Sequence, residues 1–183
     1  ITVYPPYNTI YVDTTSDVAD GATSSVAALL ANKGADGKIS LREAIAAGNN
    51  TPNGPGGPDR IYFDITDPLV GGAHTINVAS ALPAIIDPVI IDGTTDDHFL
   101  QSLPVIELNG AGAGAGISGL TVSANGITIR SLAINRFAAN GLVLGGNSNH
   151  VELSCFGTGV DGASSLGNGQ AGILITGKNN TVG

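Results

Sequence analysis

Apolar residues alternate with polar ones in short bursts along most of this chain, and that spacing predicts strands rather than helices. The clearest bursts are Arg60-Ile-Tyr-Phe-Asp-Ile65, His74-Thr-Ile-Asn-Val78, Pro88-Val-Ile-Ile-Asp92 and Pro104-Val-Ile-Glu-Leu108. Beyond them a Gly followed by alternating apolar positions recurs, in Gly126-Ile-Thr-Ile-Arg130, Gly141-Leu-Val-Leu-Gly145 and Gly172-Ile-Leu-Ile-Thr176. Ile127 and Ile129 point one way; the apolar phase then slips to Leu132 and Ile134, which marks a corner in the strand path. In register, Ile129 and Val151 are 22 residues apart, and Val151 and Val182 are 31 apart. The excess falls in residues 157–168, which read as a surface insertion.

Self-similarity of this kind predicts stacked coils that bury their apolar sides against one another. The expected fold is all-β: a right-handed parallel β-helix (solenoid) with a short helical N-terminal cap, its hand set by the crossover preference. The expected segments are an N-terminal extended strand over 1–15, a helical cap and loop over 16–59, and β-helix coils over 60–183, in one structural domain. Two helices are predicted in the cap. Ser24 to Asn32 has helical composition, and Ser40 to Gly48 begins with a capping box of Ser40 and Glu43 and ends at Gly48. Leu41, Ala44 and Ile45 share the face of that second helix that must lie on apolar surface.

Composition narrows the function classes. Charged residues make up 12%, against an ordinary level of about 25%, so Thr, Ser, Asn and Gly must supply the polar surface. A net charge of −8 with seven basic residues disfavours nucleic acid and anionic membranes as partners. No apolar run is long enough for a transmembrane segment. The lone Cys155 excludes an internal disulfide framework, and its phase with Val151 and Leu153 predicts a buried small hydrophobe. A chain that begins at Ile1 rather than Met reads as a processed product.

At Ser40-Leu-Arg-Glu-Ala-Ile45 the sequence resembles the bacterial secreted repeat proteins named for a Cys-Ser-Leu-Arg-Glu-Ala motif. Ile61-Tyr-Phe63, Leu82-Pro-Ala-Ile85 and Ile91-Asp-Gly-Thr94 follow in the order those proteins show, and the likeness covers roughly residues 35–183. The motif's cysteine is Ile39 here, which points to a buried apolar role at that position. The resemblance implies a secreted or cell-surface β-helix with an N-terminal cap, and it brings no agreed reaction.

Asp92, Asp96, Asp97 and His98 form the densest polar cluster. Asp92, Asp96 and Asp97 are a calcium candidate, because hard cations take several carboxylate oxygens; the competing reading is an acidic turn whose side chains cap backbone groups. No other cofactor is expected. Glu107, Arg130 and Glu152 are outward positions where acids flank an arginine, as uronate binding and proton abstraction would need, or where a surface ion-pair row would form. None of His74, His98 and His150 has a Ser or Cys nucleophile in suggestive spacing.

The expected function is a non-catalytic extracellular or cell-surface structural module that assembles end to end into a homo-oligomer or filament. Unpaired strand edges at the solenoid ends would carry that assembly, through Ile1, Val3 and Tyr4 at one end and Ile173, Ile175, Thr181 and Val182 at the other. The alternative is a carbohydrate-active or carbohydrate-binding β-helix, similar to polysaccharide lyases and hydrolases, with polysaccharide as partner.

Overall fold

Strands form where side chains alternate between the core and solvent. The computed structural model describes residues 7–100 and 102–183. It begins with β1 (Thr9–Val12), α1 (Val26–Ala31), α2 (Leu41–Asn49), β2 (Asp59–Phe63), β3 (His74–Asn77) and β4 (Val89–Asp92). A 3-10 turn over Gly93–Thr95 leads to β5 (Ile106–Asn109), β6 (Leu120–Val122), β7 (Thr128–Arg130) and β8 (Leu132–Asn135). The chain continues through β9 (Leu142–Leu144), β10 (His150–Glu152), β11 (Cys155–Phe156), β12 (Ile173–Ile175) and β13 (Thr181–Val182). In β2, Asp59, Ile61 and Phe63 face inward while Arg60 and Tyr62 alternate with them.

The strands pair in parallel and fall into three sheets. Six strands run in the order β1-β2-β4-β7-β10-β13, four in the order β11-β8-β5-β3, and three in the order β12-β9-β6. The register follows the apolar pattern: Val151 lies opposite Ile129 on one side and Val182 on the other. Cys155 pairs with Ala133 and is half-buried rather than fully enclosed.

This arrangement corrects the expectation of an all-β right-handed parallel β-helix. The sheets are separate and of unequal size, none closes on itself, and no continuous solenoid sheet is present among the described residues; together with the two cap helices they make the fold α/β-like. The physical reason lies at the corners. Ser131, between β7 and β8, has φ 56°, and Leu153, between β10 and β11, has φ 52°. A left-handed residue turns the backbone out of the ladder direction, so consecutive strands enter different sheets. Period-two apolarity specifies a strand and its buried face, not which sheet the next strand joins.

The helices match the local signals. Ser25 caps α1 by accepting from the Ala28 N–H at 3.1 Å. The capping box of α2 is complete: Ser40 Oγ accepts from the Glu43 N–H, and Glu43 Oε2 accepts from the Ser40 N–H. Leu41, Ala44 and Ile45 are buried, and α2 packs on β1 and β2. Ile39 is buried as well, so an apolar residue there belongs to the core. One apolar core runs from Ile10 through α2 and the sheets to Val151. Ile1, Val3 and Tyr4 lie outside the described residues.

Asp87, near α2, carries a pH-dependent cost. Asp59 is buried; its Oδ1 accepts from the backbone and side-chain nitrogens of Asn8, while its Oδ2 finds no partner among the described residues. Burial, and then the charge of Asp59, push Asp87 above its ordinary value of 3.8. The folded chain therefore disfavours ionised Asp87 at neutral pH, and the penalty fades as pH falls through the raised value toward 3.8. Asp87→Asn, which keeps an acceptor for Asn53 Nδ2, is expected to raise the melting temperature by about 2 °C at pH 7. Below the ordinary Asp range the two proteins should melt together; an equal gain at both pH values would refute the electrostatic origin.

Candidate metal centre

The site is built where β3 passes the turn that follows β4. His74 is the first residue of β3 and falls in its inward phase, so its ring enters the interior. Asp92 ends β4 and caps the 3-10 turn, accepting from the Thr94 N–H at 2.9 Å and the Thr94 hydroxyl at 2.6 Å. Thr95 Oγ1 accepts from the Phe63 N–H at 2.9 Å, which ties the turn to the end of β2. At Gly93 a β-carbon would lie 2.2 Å from the Ser131 carbonyl oxygen, so only glycine lets the turn sit this close to the β7–β8 corner.

These constraints deliver Asp96 into the interior. Its Oδ2 accepts from the Ile65 N–H at 3.3 Å, and its Oδ1 accepts from the His98 N–H at 3.0 Å. His98 Nδ1 then stands 3.0 Å from Asp96 Oδ1 and 3.2 Å from His74 Nε2. The third edge, His74 Nε2 to Asp96 Oδ1, is 3.6 Å. The imidazole rings meet edge to face, 78° apart with centroids at 4.9 Å. The side chains of His74 and Asp96 are sealed from solvent, whereas that of His98 is 34% exposed.

Electrostatics suit the same geometry. Burial lowers the His74 pKa below its ordinary value; Asp96 pulls it upward, and the neighbouring His98 pushes it further down. A neutral imidazole is the form that ligates a metal. His74, Asp96 and His98 are the group of metal-ligating side chains that converges among the described residues.

No family model, curated protein or solved structure matches this chain.

The residues singled out in the sequence have different fates. Asp96 is in the cluster, but Asp92 turns to Thr94 and faces Arg130 Nη1 at 3.7 Å, and Asp97 is exposed. Glu107 lies on β5 in the four-stranded sheet, buried, accepting from Thr75 Oγ1 and Asn135 Nδ2. Arg130 and Glu152 lie in the six-stranded sheet, directly opposite each other, with Arg130 Nε 2.8 Å from Glu152 Oε1. Asp92, Arg130 and Glu152 thus form an outward ion-pair row, with His150 3.2 Å from Glu152, and Glu107 is not part of it. Ile173 packs against the core from β12, while Ile175, Thr181 and Val182 are exposed on β12 and β13 at the sheet edges.

His74 carried no signal of its own in the sequence. It lies 24 residues before His98, on a strand whose sheet does not contain β4. The one local clue was the Asp-x-His spacing of Asp96 and His98.

Proposed function

We propose that this chain is a metal-binding scaffold, holding a first-row divalent transition metal such as zinc through His74 Nε2, His98 Nδ1 and Asp96 Oδ1. The observation that carries this reading is the triangle of 3.0, 3.2 and 3.6 Å between the three donor atoms. Zinc bonds of about 2.0–2.1 Å in a tetrahedron place neighbouring donors about 3.3 Å apart. Two imidazole nitrogens and one carboxylate oxygen suit zinc, copper, nickel or iron, whereas calcium takes six to eight oxygens at longer distances. The cation reading of the acidic turn thus moves from calcium to a transition metal, and from three aspartates to one aspartate and two histidines.

Calorimetric titration of chelator-treated protein tests it. One equivalent of Zn²⁺ should bind and raise the melting temperature, while Ca²⁺ at the same concentration should do neither. Absence of zinc binding would leave His74, Asp96 and His98 as a hydrogen-bonded triad and sink the reading.

A self-associating structural role is a second reading, favoured by a separate observation. The edges formed by β11, β12 and β13, with the corner beside them, leave Leu153, Leu174, Ile175 and Val182 exposed. Apolar parallel edges invite a further strand layer. Sedimentation over a wide concentration range should show growing mass; a constant monomer mass would end this reading.

A further inference from the structure

We propose that the metal at His74, Asp96 and His98 keeps one coordination position open toward an adjoining apolar cleft, and that this position binds a monocarboxylate whose hydrocarbon tail lies in the cleft. The inference rests on the metal-binding reading and adds a ligand class to it. Three protein donors leave a tetrahedral ion one position for an exogenous ligand, as in catalytic rather than structural zinc sites. A divalent ion with one aspartate and two neutral imidazoles retains a single positive charge, which favours one anionic donor.

The side chains of His74 and Asp96 are sealed in and that of His98 is 34% exposed, so His98 is the ligand side chain that reaches solvent. His98 lines a cleft of about 350 Å³ together with Leu69, Leu100, Leu103, Val160 and Asp161. Leu100 is 85% exposed and Leu103 is 44% exposed, so this rim presents apolar surface that the core does not use. Large exposed leucines beside a polar centre mark a surface that covers an apolar group.

Asp161 adds selectivity. Its carboxylate accepts from the Ser164 hydroxyl and from the N–H groups of Ser164 and Ala163, which hold its pKa down to about 2. It is therefore ionised at every working pH. Asp161 lines the same cleft as Leu103, which places this negative charge on the cleft wall. A second carboxylate at the tail end of a ligand would meet it unfavourably.

Cobalt(II) gives a readout independent of any catalysis, because its visible absorption reports both tetrahedral binding and a change of the fourth ligand. With one equivalent of Co²⁺ bound, octanoate should shift the bands with a half-saturation at least about tenfold below that of acetate, since burying only two methylenes accounts for that factor. Suberate, octanoate with a second carboxylate, should fall back toward acetate. Leu103→Ser and Leu100→Ser should each weaken octanoate while leaving acetate unchanged. Equal responses to acetate and octanoate, or bands that no carboxylate moves, would overturn the ligand assignment and leave metal binding intact. Failure of Co²⁺ to give tetrahedral bands would overturn both.

Discussion

His98→Ala is expected to weaken zinc binding by about 100-fold or more while leaving the apo fold intact. Even indirect partners of a metal ligand typically change affinity 10–100-fold, and a direct ligand should do no less. His98 is the informative position because its ring is partly exposed and follows the 3-10 turn, so its removal opens no core cavity. Asp96→Asn is the companion variant, close in shape and still able to offer an oxygen to the Ile65 N–H. It removes the anionic donor and should lose zinc to a similar degree. Calorimetry beside thermal denaturation of the metal-free proteins checks both. If either variant keeps wild-type zinc affinity, the metal lies elsewhere.

Glu43→Ala should be among the most damaging single changes outside the apolar core, costing about 3 kcal/mol or more of folding stability. Glu43 is buried and accepts four hydrogen bonds. Two come from the N–H groups of Asp20 and Gly21, at 2.9 and 2.6 Å, and two from the N–H and hydroxyl of Ser40, at 2.9 and 3.0 Å. Truncation leaves those donors facing a space with no acceptor. Ser40→Ala, which removes one cap and leaves the carboxylate in place, should cost only about 1 kcal/mol. Urea unfolding monitored by circular dichroism measures both; equal losses would show that Glu43 acts only as a helix cap. The adjacent Arg42 works in the same direction. It forks onto Asp17 at 3.1 and 2.7 Å and donates to the carbonyls of Ser80 and Ala81. The Ser-Leu-Arg-Glu phrase therefore reads as a structural knot that ties α2 to the loops on both sides.

What was legible in the residues was short-range or periodic. The capping box of Ser40 and Glu43, the inward phase of Ile61 and Phe63, and the opposition of Val151 to both Ile129 and Val182 follow from side-chain spacing along a helix or a strand. The corner at Ser131 was visible as a slip in apolar phase, but not its effect of sending β7 and β8 into different sheets. That effect turned an expected solenoid into three separate parallel sheets. Glu107, Arg130 and Glu152 show the same limit: an outward position looks alike in any strand, and only the sheet assignment separates Glu107 from the other two.

By itself the sequence determined the strands, the helix caps, the buried faces and the register of the later strands, because each is decided by residues a few positions apart or by a repeat along one chain. Only the tertiary structure decided how the sheets divide and that His74 meets Asp96 and His98. Those donors converge because the turn after β4 is pinned between the end of β2 and the β7–β8 corner while β3 runs in another sheet. Such a meeting depends on packing through space, and no spacing along the chain encodes it.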